Sequence, residues 1–416
     1  MNQDTVLIKK KNNVNLFILL VGQIMSIIST FMFDFAIALY ILDKGNTETQ
    51  YSIIVAIGMV GRIIISLFTG AYIDRKNKKN IIVIADLLSG VAVLIGTILL
   101  LNNSFGVVSI CIVVFILNCL NSLFSLAFLA AVPNLFEGEK EVMMGNSILQ
   151  SVQAIAAIVG PILGSILYSN FGLKPIIIIN LLSFFVTGVM EMFLKYKPNE
   201  VTEQTNYFKE VKDGFTYINN KTNLKRLCIF YILFQTIVQP LLTLLLNVIA
   251  YNHLHISGFQ LGIVQAGYAV GVLVGASIAS ANKEVNTILN KFWTWITVEG
   301  VLIILWFILS INPITNLGSV GITIIFTILV TLFSTVNMYL TVPLIGYFQM
   351  NIKESMRGRL FGIITTALTV GGPIGSIIYG VLIKKVDWCV IVVIAGILII
   401  GLAMVYKNKI NFDSDN

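Results

Sequence analysis

Apolar stretches of eighteen or more residues recur along the whole chain, and each is long enough to cross the roughly 30 Å hydrocarbon core of a bilayer as a helix. Twelve spans are read, over 16–42, 51–73, 80–101, 107–132, 144–169, 175–195, 224–250, 260–280, 292–311, 318–346, 359–383 and 387–406. The runs are continuously apolar and longer than the roughly ten-residue alternating segments of a barrel strand. Helices satisfy their own backbone hydrogen bonds where no water can, so the expected class is an all-α polytopic membrane protein of 12 transmembrane helices. Of its 416 residues 57% are hydrophobic and only 11% charged, which argues against any sizeable soluble core.

An even span count puts both ends of the chain on one side, and the loop charges say which. Loops on the amino-terminal side carry 22 Lys and Arg, against four on the other face, Lys44, Lys174, Lys384 and Lys385. Both termini are therefore expected in the cytoplasm, with the chain multi-pass in the cell (plasma) membrane. The net charge of +7 is the same bias rather than a nucleic-acid footprint, so no nucleic acid is expected as a partner. Residues 1–14 are polar and basic and lack the pattern of a removable signal peptide. Cys111, Cys119, Cys228 and Cys389 fall in or at the edge of spans with no CxxC spacing, and read as packing residues. Signatures of hydrolases, zinc enzymes and nucleotide-binding loops are absent, and the two histidines, His253 and His255, share one outer loop. No enzyme activity, metal or cofactor is expected.

The longest polar interval, 197–223, falls between spans six and seven. It divides the chain into a six-helix bundle over 1–196, a cytoplasmic linker, and a second bundle over 224–416. Within the linker, Phe208, Val211 and Phe215 give 207–217 some helical amphipathicity, as for a short interfacial helix or a partly ordered linker. A shift of 210 residues places Gly61 on Gly271, Asp74 on Glu284 and Gly90 on Gly300. A second echo sets Gly160, Pro161 and Gly164 against Gly372, Pro373 and Gly375, with a one-residue gap. Repeated halves around a midplane site suit alternating access, because two similar bundles can rock against each other.

The loop Gly70, Asp74, Arg75, Lys76, Asn77, Lys78, Lys79 resembles the loop signature G-x-x-x-D-R/K-x-G-R/K-R/K of the major facilitator superfamily, with Asn77 at its second glycine. Ala131 and Pro133, then Gly145, Asn146, Ser147 and Gln150, and Glu354 with Arg357, Gly358 and Arg359, are similar to the branch that holds macrolide and other efflux pumps. The resemblance implies two six-helix bundles with a cavity lined by spans one, four, seven and ten. It implies that Asp74 latches the halves through Arg357 or Arg359, so Gly70, Asp74, Arg75, Arg357 and Arg359 are the expected gating set. The Gly160 and Pro161 element resembles the antiporter signature of span five, with Ser165 in place of its final glycine. Small residues permit close helix approach and proline opens a bend; packing alone is the other reading of Gly160, Pro161, Gly164, Gly372 and Pro373.

A charge within the bilayer costs several kcal/mol, so each one needs a partner or a task. Asp34 lies about 12 Å from the outer end of span one and Arg62 about 16 Å down span two, at matching levels. They are expected to pair, either as a proton-coupling switch or as a static link. Asp86, about 9 Å from the inner face, competes for Arg62. Glu191 lies near Lys195 and Lys197 and reads as snorkelling to the interface, whereas Glu299 is deeper, with a structural or a coupling role. The presumed cavity spans carry Asn118, Asn121, Ser125, Gln235, Gln239, Thr243 and Asn337 among Phe31, Phe35, Phe124 and Tyr339. Uncharged amides beside aromatic faces suit a bulky amphipathic solute. The expectation is a monomeric secondary transporter exporting such a small molecule in exchange for protons, with the proton gradient as its energy source. A dedicated exporter of a siderophore, metallophore or peptide is the alternative, and an importer or a non-transporting sensor stands further off.

Overall fold

A computed structural model describes the chain outside residues 1–2, 45–47, 103–105, 137, 197–215, 283–284, 352–356 and 411–416. Its side chains are described except also at 3–12, 67–72, 74–75, 139–140, 285–287, 349–351, 357–365 and 367–368. Among the described residues twelve long helices follow in order: α1 (Gln3–Asp43), α2 (Glu48–Arg75), α3 (Lys78–Leu101), α4 (Val107–Leu135), α5 (Glu139–Phe171) and α6 (Leu173–Glu191), then α7 (Thr222–Pro240), α8 (Gly258–Ala281), α9 (Phe292–Ile304), α10 (Gly318–Asn351), α11 (Arg357–Leu382) and α12 (Trp388–Lys407). No strand occurs among the described residues. Eleven of these segments are long and apolar enough to cross a membrane over their described residues. The remaining one, α11, runs for 26 residues, with Thr369–Leu382 as its described apolar part. The expected all-helical polytopic class is the class observed.

Local chemistry starts several of these helices. Asn77 adopts extended backbone before α3, and its side chain accepts from the amides of Lys79 at 3.0 Å and Asn80 at 3.4 Å. The residue that departs from the family signature is therefore an N-cap, a position where asparagine outperforms most residues. Ser257 opens α8 with a reciprocal capping box to Gln260, and Asp387 caps α12 through the Cys389 amide at 2.8 Å. Beyond Pro240, α7 continues through two π turns, Leu241–Leu245 and Ile249–His253.

The chain forms two compact units. One comprises Met1–Tyr40 with Ile57–Gln204; the other comprises Ile41–Ala56 with Thr205–Asn416, so the corner between α1 and α2 groups with the second unit. Hydrogen bonds show why the corner belongs there: Thr49 donates to the Gly380 carbonyl at 2.6 Å, Asn252 donates to Glu48 at 3.2 Å, and Tyr251 is bonded to Asp43. The interfacial helix expected over 207–217 lies outside the described residues apart from its last two positions.

Glycine seams hold both units. In the first, a Cβ on Gly61 would meet the Phe115 carbonyl at 3.1 Å, drawing α2 onto α4, and one on Gly90 would meet the Phe185 ring at 3.2 Å, where α3 lies on α6. The 210-residue shift carries each seam into the second unit. Gly271 of α8 faces Thr331 and Ser334 of α10, and Gly300 of α9 meets Gly396 of α12. Around the seams, side chains such as Ile84, Val108, Ile278 and Met404 are exposed and apolar, as a lipid-facing surface requires.

The seam between Gly300 and Gly396 is reciprocal, each missing Cβ facing the other's carbonyl at 2.8 and 2.5 Å. Gly300→Leu is expected to destabilise the second unit by about 1–3 kcal/mol, the usual cost of overpacking. Thermal unfolding in detergent measures it, and a midpoint equal to that of the unsubstituted protein would refute the seam.

Candidate functional site

In the first unit, three helices converge on Arg62. It is the charge that acts on Asp34 of α1. Its Nε donates to the Asn118 Oδ1 of α4 at 2.5 Å. Asn118 is oriented by its own helix, its Nδ2 donating to the Val114 carbonyl at 2.8 Å. Ser122 Oγ, one turn further along α4, donates to the Arg62 carbonyl at 3.4 Å. Gly58 makes room for this arrangement, since a Cβ there would lie 3.0 Å from the Asn118 amide. The Asp34 side chain is exposed, and the arginine whose field it feels is held by an amide on a third helix. The structure thus joins Arg62 to Asn118, and leaves Asp34 within the field of Arg62 without a hydrogen bond or ion pair between the two.

Asp86 does not compete for Arg62. It is buried between α3 and α6, where its Oδ2 accepts from Thr187 at 2.5 Å. Glu191 does not snorkel: it is 1% exposed, neither carboxylate oxygen has a hydrogen-bond partner, and the charge facing it is Asp86. The interface with α3 draws it inward, away from Lys195.

The aromatic and amide candidates of the first unit separate by burial. Phe31 and Ser125 are exposed, Asn121 and Phe124 are half-buried, and Phe35 is buried. Phe124 stacks obliquely on Phe128 with centroids 5.4 Å apart, at the edge of an apolar core built by α1 to α5. Gly160 and Gly164 press α5 against α1: a Cβ at Gly160 would collide with Phe31, and one at Gly164 would lie 2.8 Å from the Met32 carbonyl. In the second unit, Gly371 and Gly375 do the same for α11 on α7, with a Cβ at Gly371 2.7 Å from the Thr236 amide. The contacts therefore pair Gly160 with Gly371 and Gly164 with Gly375, beside the buried Gly372 and Pro373. Both helices are assigned as continuous through Pro161 and Pro373.

In the second unit, Gln235, Gln239 and Thr243 are half-buried along α7 and its first π turn. Thr243 donates to the Gln239 carbonyl at 2.9 Å, while the Gln239 Oε1 has no partner. The hub of the network is Asn247. It donates to the Tyr51 hydroxyl at 2.7 Å and accepts from the Gln265 Nε2 of α8 at 2.7 Å. Pro240 and the π turns flank this stretch, and such local widening recurs at functional sites. Glu299 of α9 is fully buried at 0% exposure, with both oxygens lacking a hydrogen bond of good geometry. Asn337 of α10 faces it, and Tyr231 and Tyr268 lie within its field. Tyr339 instead packs edge-on against Trp295, with centroids 5.5 Å apart.

The side chains of the gating set, Asp74, Arg75, Arg357 and Arg359, and Gly70 with them, lie outside the described residues. Sequence reasoning passed over Tyr51, Thr187 and Gln265. An amide within an apolar span is the signal that marks Gln265, whereas nothing local marks Tyr51 or Thr187. Among the described residues no group of three His, Cys, Asp or Glu side chains gathers as for a metal ion.

Two all-helical units whose spans enclose carboxylates, an arginine and a run of amides define a polytopic membrane carrier. The chain belongs to the Major Facilitator Superfamily, whose model matches residues 19–348. It is 23% identical over 394 residues to macrolide efflux protein A of Streptococcus pyogenes, covering 92% of this chain and 93% of that protein. Among solved structures it is similar to the nucleoside transporter NupG, with TM-score 0.71, 13% identity, and 95% and 99% of the two chains covered. A D-xylose-proton symporter gives TM-score 0.73 at 12% identity, over 97% of this chain and 99% of that one.

Asn118→Ala removes the acceptor that positions Arg62. A hydrogen bond to a charged group contributes about 1.5–3 kcal/mol. Thermal unfolding is expected to show a loss of that order, and Asn118→Asp, which keeps the acceptor, is expected to retain most of the stability. Equal destabilisation by both substitutions would remove Asn118 from this role.

Proposed function

We propose that the chain is a secondary active exporter of amphipathic small molecules such as macrolides, driven by exchange for protons. The observation that carries the reading is the conjunction of Asp34, Arg62 and Asn118 within the spans. An accessible carboxylate beside a fixed cation is a group whose proton affinity depends on the distance between them. Helix movement that carries Asp34 away from Arg62 favours proton uptake, and movement that brings the two closer favours release. Asn118 holds Arg62 in place, so that its distance to Asp34 is set by the helices.

The solute side of the reading rests on the amides and aromatics. Phe31 lies one turn before Asp34, and the row of Gln235, Gln239 and Thr243 leads into the first π turn beyond Pro240. Aromatic faces take the apolar bulk of an amphipathic solute, while uncharged amides meet its scattered hydroxyl and carbonyl groups. Likeness to a macrolide efflux protein over nearly the full length of both chains supports the same class of cargo. The chain works in the cell membrane with both termini cytoplasmic, where 22 basic loop residues would lie. Gating at that face falls to Asp74, Arg75, Arg357 and Arg359, with Gly70 leading into the loop. Energy comes from the proton gradient, with no cofactor, and one chain suffices.

In everted membrane vesicles, the unsubstituted protein is expected to accumulate a radiolabelled macrolide when a proton gradient is imposed, and to lose the label when the gradient is collapsed. Asp34→Asn is expected to bring gradient-driven accumulation down to that of vesicles lacking the protein, while macrolide binding to the purified variant persists. Full gradient-driven uptake by Asp34→Asn would sink the coupling assignment, and uptake only into right-side-out vesicles would reverse the direction.

A further inference from the structure

The contact of α3 with α6 contains two carboxyl groups and no cation. Asp86 is 2% exposed and Glu191 is 1% exposed. They share one face of the interface. Thr187, whose hydroxyl reaches Asp86 at 2.5 Å, lies one helical turn before Glu191. Gly188 allows the approach, since a Cβ there would lie 2.9 Å from Leu87 and 3.6 Å from the Asp86 Cβ. Asp86 has a donor in Thr187, but both oxygens of Glu191 are enclosed and have no partner.

Among the described residues the surroundings supply no countercharge. α4 packs on α3 and carries no charged residue, only the thiols Cys111 and Cys119 towards its other end. α1 meets α6 at Thr187 through Gly22, followed by the neutral Gln23 and, about 18 Å further along the helix, Asp34. α5 packs on α6 and begins with Glu139, Lys140 and Glu141, of which only the Glu141 side chain is among the described residues. Lys78 and Lys79 precede Asp86 by about 10–12 Å along α3, and Lys195 lies beyond the end of α6 with its backbone held by Asn15. The charge that faces Glu191 is Asp86.

We propose that Asp86 and Glu191 form a carboxyl–carboxylate pair that binds one proton between α3 and α6, as a site separate from Asp34 and Arg62. Two facing carboxylates enclosed without a cation cannot both remain ionised, so one of them holds a proton. Thr187 marks Asp86 as the acceptor, which leaves Glu191 as the carrier. A proton taken from bulk water forms the O–H bond of Glu191, and that hydroxyl donates to Asp86. The pair then carries a single negative charge, and the orphaned Glu191 gains the partner it lacks. This inference does not rest on the antiport reading, since a proton can be bound there whatever the carrier moves.

Infrared spectroscopy of the purified protein without solute, titrated with pH, tests the pair directly. The unsubstituted protein is expected to show, at neutral pH, the carbonyl-stretch band of a buried protonated carboxyl. With Glu299, the other fully buried carboxyl, replaced by Gln in every sample, that band is expected to be lost in Glu191→Gln and kept in Asp34→Asn. A Glu191→Gln spectrum identical to the original would overturn the proposal, as would loss of the band in Asp34→Asn alone. Absence of the band together with a sodium-dependent rise in unfolding temperature, itself lost in Glu191→Gln, would assign the pair to a metal cation and overturn the proton. If Glu191→Gln does not fold, Asp86→Asn changes the acceptor and must shift the band; an unshifted band then refutes the pairing.

Discussion

Close backbone approach at glycine seams is the constraint on which the remaining structure depends. Helices in hydrocarbon gain nothing from hiding apolar surface from one another, because lipid tails are as apolar as leucine. They adhere where packing is tight, and packing is tightest where a side chain is missing. Gly61 and Gly271, and Gly90 and Gly300, occupy corresponding seams in the two units, and in each case a Cβ would press on the neighbouring helix. The internal repeat is therefore a repeat of contacts as well as of residues. It preserves the positions at which two helices must nearly touch.

Polar groups then select the geometry that the seams permit. Ser29 and Ser183 share a hydrogen bond at 2.6 Å, and Asn180 donates to the Ser29 carbonyl at 3.1 Å, fixing α1 on α6. Asn15 joins the start of α1 to the ends of α4 and α6 by donating to the Leu135 and Lys195 carbonyls. Most buried polar groups are satisfied in this way, as their burial demands. The exceptions include Glu191, Glu299 and Gln239. Two of these are carboxyl groups, whose missing partner is a donor, and the third lies beside the irregular part of α7.

Much of this was legible in the residue order. Span count, helical class, family and repeat follow from apolar run length and from glycines at a fixed shift, because the bilayer imposes both rules on any chain. Asp34 and Arg62 were matched by depth alone, since a helix advances by a constant rise per residue. Depth could not reveal that Arg62 would lean on Asn118, because azimuth around a uniformly apolar helix leaves no trace in the sequence. The same blindness explains Glu191. Its neighbours in sequence are lysines, and its neighbour in space is Asp86.

The sequence by itself determined that the chain crosses the membrane repeatedly as helices, and which charged residues its spans carry. Hydrophobic length and loop charge act one segment at a time, so they can be read without knowing any neighbour. Only the tertiary structure decided which helix faces which. It paired Asp86 with Thr187 and Glu191, set Asn247 between Tyr51 and Gln265, and placed the corner between α1 and α2 with the second unit. Those choices depend on rotation about each helix axis, and in an apolar medium that rotation is set by the partner's shape rather than by the helix's own sequence.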